Sequence, residues 1–390
     1  MSVTAASGFE AGGLASGIKE NGDPDLAIVT TADRRAVPAA GVFTQNVATA
    51  APVQVSKENL KSEHAVAVVL SSGNANAATG EQGRADARRM AELTGAGLGC
   101  AGTDVLVCST GLIGYFMPMD ALETGIPRLT ASLNGSDAAA DAILTTDTVR
   151  KEAVATVAGT AATVGGMAKG AAMLAPAMAT MLAVITTDAV LDADPLHAAL
   201  TRAVNDSFNQ LCVDACTSTN DTVLVLANGA SGVAIGDDRS LGAFTDALTE
   251  VCASLAEQMA RDAEGATKFA RITVRGARSV EEAQRAARTV ASSQLVQCSL
   301  NGEDPYWGRV LSELGVSGAG FDAEQVEIAY NGIVACRSGI AAADDPNGLA
   351  ATMKGTEIHI ECDLNAGGGT ASMLFTDLSH AYIDENRGTS

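Results

Sequence analysis

The chain has 390 residues, of which 47% are apolar and only 3% aromatic, so it is long enough for a large core built mainly from aliphatic side chains. Acidic residues outnumber basic ones 46 to 25, a net charge of −21, and no Lys/Arg cluster offsets that field, which excludes phosphate-backbone binding. Eight cysteines occur without a C-x-x-C pair, the four histidines have no metal spacing, and the N-terminus lacks a basic region followed by an apolar run. The most apolar stretch, 171–186, is interrupted by Pro176 and is shorter than the ~20 residues a membrane span needs. The expectation is a soluble cytoplasmic protein with no metal and no cofactor.

In chain order, strands are expected at 26–30, 40–44 and 65–70 from their β-branched content and length. A helix follows over 81–93, with Gly95, Gly97 and Gly99 as its breakers. Residues 104–109 read as another strand, ending in a turn at Thr110-Gly111. Residues 138–144 look helical, and 154–157 with 162–165 could form a hairpin. A strand is expected at 180–187, helices at 196–211, 241–263 and 279–293, and strands at 222–227, 270–274, 326–330 and 358–363. Such alternation points to mixed α/β layers.

Two glycine patterns fail as phosphate sites. Gly95 to Gly99 follows a helix and has Cys100 where a dinucleotide fold wants glycine, while 165–170 (GGMAKG) lacks the G-K-[ST] ending. The segment that carries chemistry is 164–188, VGGMAKGAAMLAPAMATMLAVITTD. A glycine-rich turn leads to a single lysine, Lys169, and then an apolar run reaches Ala179-Thr180 at the head of a β-branched stretch. A threonine hydroxyl within a chain is a poor nucleophile. Released as an N-terminal residue it gains a free α-amine, with an ordinary pKa near ~8, that can take its proton.

This segment resembles the self-processing block of the ornithine acetyltransferase (glutamate N-acetyltransferase) family, and further blocks follow in that family's order. They are GVFTQN (41–46), SSGNANAATG (71–80), CSTGLIG (108–114), LTTDT (144–148), STNDT (218–222), DAEGATK (262–268), DPYWGR (304–309) and TDLSHAYIDEN (376–386). The resemblance implies a layered α/β sandwich of sheets and helices, as in the aminopeptidase and ornithine acetyltransferase superfamily. It implies cleavage between Ala179 and Thr180 into fragments 1–179 and 180–390, with Thr180 as nucleophile and Thr110 and Gly111 as the oxyanion hole. Substrate contacts would fall on Thr145, Lys169, Thr180, Glu264, Asn386 and Ser390. The implied activity is acetyl transfer from N-acetylornithine to glutamate in arginine biosynthesis, by a ping-pong route through an acyl-threonine. Acetyl-CoA is a further donor in bifunctional members, and the implied assembly is a heterotetramer of two copies of each fragment. A related self-processed amidase or aminopeptidase, with water as the acceptor, is the alternative. The chain departs from the family pattern at Tyr306, where asparagine is usual, at Ala78, where cysteine is common, and at Ala215, where glycine is usual; its tail is also one residue shorter.

Overall fold

A computed structural model describes residues 2–174, 181–342 and 344–387. The expectations placed on Ala179, Thr180 and Ser390 lie outside the described residues. Two sheets stack face to face. The first has the order Phe9–Leu14, Leu26–Thr31, Ala67–Asn74, Val105–Leu112, antiparallel except for its last, parallel pair. The second runs His64–Ala65, Val37–Phe43, Thr222–Ala227, Leu182–Thr187, Thr163–Lys169, Lys151–Thr156. Val29, Val68, Leu70 and Leu106 of the first sheet share one core with Leu182, Val184, Leu224 and Leu226 of the second.

Helices cover both outer faces. Ala51–Asn59, Gly80–Leu98 and Met119–Ala131 pack on the four-stranded sheet. Ala193–Asn205 and Asp238–Arg261 pack on the six-stranded one. The layers are therefore helix, sheet, sheet, helix, the α/β sandwich that the sequence blocks imply. Leu26–Thr31 and Leu182–Thr187 are buried along their whole length, which is why they are unbroken apolar or threonine runs rather than alternating ones. Each buried Leu, Ile or Val contributes roughly 1.5–3 kcal/mol. A third, seven-stranded sheet centred on Phe269–Ala277 and Glu357–Asp363 packs against Val280–Ala291 and Trp307–Val316 in a core of its own. Ser279 caps the first of these helices by accepting from the Glu282 amide.

Several expectations are corrected. The helix expected to stop near Leu93 runs through Gly95 and Gly97 and ends only at Gly99, whose φ is +79°. Gly97 is a packing residue, since a Cβ there would lie 2.2 Å from Thr130 Oγ1 of the neighbouring helix. Thr110-Gly111 is no turn. The strand Val105–Leu112 carries both residues, in register with Ser72 and Gly73. Gly165, Gly166 and Lys169 likewise lie within a strand, Thr163–Lys169, and not in a turn. The helix expected over 196–211 ends at Asn205, and Leu211–Cys212 is a short strand instead. The eight cysteines are all free, and five of them are buried. Among the described residues no helix is long and apolar enough to cross a membrane, and no group of His, Cys, Asp and Glu could hold a metal ion.

Candidate active site

Four strand ends converge where the two sheets face each other. Lys169 is the last residue of its strand and pairs with Leu182, the first residue of the next one described. Thr110 and Gly111 lie near the end of Val105–Leu112. The Asn220 side chain ties the loop before Thr222–Ala227 to this edge, donating to the carbonyls of Ala75 (2.6 Å) and Ser109 (2.8 Å).

The Lys169 side chain is 3% exposed. It donates to Thr145 Oγ1 at 2.5 Å and to Thr110 Oγ1 at 3.4 Å, and lies 3.5 Å from Asp147 Oδ2. Asp147 is the hub of the group. Its Oδ1 accepts from Lys151 Nζ (2.7 Å) and from the Gly170 amide (2.7 Å), and its Oδ2 accepts from the Thr145 amide (3.1 Å). Lys151 has no exposed surface and also pairs with Asp262. Burial by itself would push the Asp147 carboxyl up, but Lys169 and Lys151, with the bonds from Lys151 and Gly170, outweigh it and hold the group well below the usual carboxylate range. Asp262 caps the C-terminus of Asp238–Arg261, where the helix dipole disfavours an acid. Lys151 and the Thr148 side chain and amide hold it there.

Gly111 has φ +132°, and a Cβ on it would fall 2.3 Å from the Gly73 carbonyl carbon and 2.5 Å from the Asn74 amide nitrogen. Only glycine lets these two strands approach so closely beside Thr110.

A second group adjoins the first through the backbone, because the Glu264 amide donates to the Ala171 carbonyl (2.9 Å). Glu264, 9% exposed, accepts from Asn386 Nδ2 at 2.7 Å. Nearby, Asp214 Oδ2 accepts from the Met173 amide (2.5 Å) and the Tyr382 hydroxyl (3.3 Å). Burial pushes the Asp214 carboxyl up, against the bonds it accepts from the Cys216 and Met173 amides, and burial and Asp214 together push the Tyr382 phenol up. Asp221 accepts from the Met181 amide at 2.9 Å with Oδ1, while its buried Oδ2 has no partner among the described residues. Burial pushes that carboxyl well up.

Of the residues singled out in the sequence, Thr110, Thr145 and Lys169 come together directly, with Gly111 adjoining Thr110. Glu264 and Asn386 form the neighbouring pair. Asp147, Lys151, Asp262 and Asp221 were not singled out, although the LTTDT, STNDT and DAEGATK blocks contain three of them. Each block contains an acid, but nothing in a linear chain tells a buried acid from a solvated one.

Hydroxyl and backbone groups fixed around a buried cation are the kind of preorganised donors that acyl-transferring enzymes use. The sequence profile of the ArgJ family matches residues 10–388. The arginine biosynthesis bifunctional protein ArgJ of Streptomyces coelicolor is 47% identical over 393 residues, covering 100% of both chains. Its counterpart from Bifidobacterium longum is 43% identical, covering 99% of both. Among solved structures, the arginine biosynthesis bifunctional protein argJ of Bacillus halodurans is 34% identical with a TM-score of 0.50, covering 52% of this chain and 96% of its own. The chain belongs to the ArgJ family and is an N-acetyltransferase of arginine biosynthesis.

Proposed function

We propose that the protein moves an acetyl group from N-acetylornithine to glutamate through an acetyl ester on Thr180, after cutting itself between Ala179 and Thr180. The observation that carries this reading is the Lys169, Thr110 and Thr145 cluster, set by strand register beside Leu182, two residues after the proposed nucleophile. In the first step Thr180 Oγ attacks the acetyl carbonyl carbon, the bond to the ornithine nitrogen breaks, and that nitrogen takes the hydroxyl proton by way of the Thr180 α-amine. The Thr110 hydroxyl and the Gly111 N–H stabilise the tetrahedral oxyanion. Glutamate's amine then attacks the ester and restores the free threonine. Lys169 and Thr145 suit a substrate carboxylate, and Glu264 with Asn386 suits an amino group. Ser390 is the remaining substrate contact of this proposal.

A relative from Bacillus halodurans whose solved chain spans about half of this one is in keeping with a division near the middle, and the fragments proposed are 1–179 and 180–390. The two fragments stay folded together, and the assembly proposed is two copies of each, in the cytoplasm. Intact mass spectrometry tests the cut: two masses matching these fragments are expected, and a single 390-residue mass refutes it. Incubation with N-acetylornithine and labelled glutamate tests the transfer. Labelled acetylglutamate is expected, whereas free acetate alone identifies a hydrolase.

A further inference from the structure

An ammonium group has donors and no acceptor. Where Lys169 meets Thr145 Oγ1 at 2.5 Å and Thr110 Oγ1 at 3.4 Å, both oxygens must accept, and each hydroxyl proton must point elsewhere. Thr145 has a place for its proton at Asp147 Oδ2, 3.5 Å away. Among the described residues no acceptor takes the Thr110 proton. The lysine cannot easily swing aside. It is buried, and Asp147, which faces it, is pinned by Lys151 and by the Gly170 amide directly after Lys169.

We infer that Lys169 is a positioning residue for the oxyanion hole: by donating to Thr110 Oγ1 it turns the Thr110 hydroxyl proton toward the reacting carbonyl, in self-cleavage and in acetyl transfer alike. The inference rests on the proposed cut and on Thr110 as an oxyanion donor, and it adds to Lys169 a task separate from holding a substrate carboxylate. Self-cleavage separates the two tasks, because no outside substrate takes part. In that reaction Thr180 Oγ bonds to the Ala179 carbonyl carbon, the peptide C–N bond breaks as the nitrogen takes the hydroxyl proton, and water then hydrolyses the ester to a free carboxyl and a free hydroxyl. Its tetrahedral intermediate needs the same oxyanion donors as acetyl transfer.

The test follows cleavage of the full chain by intact mass over time in Lys169→Met, Thr110→Val and the double variant, with thermal unfolding as the check on folding. Each single variant is expected to cleave on the order of 100-fold more slowly than wild type, the loss typical of one oxyanion donor. The double variant should be no slower than Thr110→Val, because without that hydroxyl the lysine has nothing to orient. Lys169→Arg, which also only donates, should recover part of the rate. Lys169→Met cleaving at the wild-type rate while the KM for N-acetylornithine rises would reduce Lys169 to a substrate contact and overturn the inference, leaving the proposed function intact. Additive losses in the double variant overturn it too. If Lys169→Met does not fold, Lys169→Leu carries the same comparison, since it too has no donor to offer Thr110; wild-type cleavage by that variant has the same overturning force. A wild-type chain that stays whole removes the proposed cut and the inference with it.

Discussion

Lys151 makes a demanding test of the electrostatics under the site. It touches no proposed substrate position, yet its ammonium bridges Asp147 and Asp262 with no exposed surface. Replacing it by methionine keeps the bulk and removes the charge, so Asp147 retains only Lys169 at 3.5 Å as a cationic partner and Asp262 is left to Thr148 and the Val149 amide. Breaking one partner out of a buried ion group costs about 3–5 kcal/mol. In a chain of this size that is a fall of about 4–6 °C in the unfolding midpoint. Removing the stranded charge as well, in Lys151→Met/Asp262→Asn, should restore part of the loss.

The pH dependence has a definite sign. Asp147 is held below its ordinary value, so the unfolded chain binds its proton first as the pH falls. Its stabilisation is fully present above the unfolded value near ~4 and is lost as the pH falls through its folded value. Lys151→Met loses much of that contribution, so the gap between wild type and variant should be widest at neutral pH and should narrow below about pH 4. Thermal melts of both proteins from pH 3.5 to 7.5 provide the comparison. A midpoint within 1 °C of wild type at pH 7, or a double variant less stable than the single one, refutes the reasoning.

Other predictions test separate parts of the site. Gly111→Ala, with its Cβ 2.3 Å from backbone, should prise the two strands apart, costing more than ~3 kcal/mol and blocking the proposed cleavage; a soluble variant with the wild-type melting midpoint would contradict the strand register. Ala215 holds φ +57° where glycine is usual, so Ala215→Gly should stabilise by about 1 kcal/mol, read as a higher melting midpoint. Asn386→Ala removes the donor to Glu264 from an exposed helix end; the KM should rise while the midpoint stays within about 1 °C. Asp221 is buried with its carboxyl pushed up, so wild-type stability should fall as pH rises above about 4, where only the unfolded form ionises. Asp221→Asn removes that penalty, and its stability relative to wild type should grow from pH 4 to pH 7 in melts.

The sequence by itself determined the elements with strong local signals. Leu26–Thr31 and Leu182–Thr187 are legible because strands buried on both faces need unbroken runs, and the helix after Ser279 is legible because its cap is local. The ordered blocks also named Thr110, Gly111, Thr145, Lys169, Glu264 and Asn386. Tertiary structure alone decided what surrounds them. Gly95 and Gly97 read as breakers and Thr110-Gly111 as a turn because a glycine signals only that a side chain is unwelcome there. Whether the cause is a turn or a close neighbour depends on what packs against it, here the Thr130 side chain at Gly97 and the Gly73 backbone at Gly111. Lys169 likewise looked like a turn lysine. Its burial, and the choice of Asp147 and Lys151 as its supports, comes from strand register and from a distant helix end at Asp262, an arrangement no local pattern encodes.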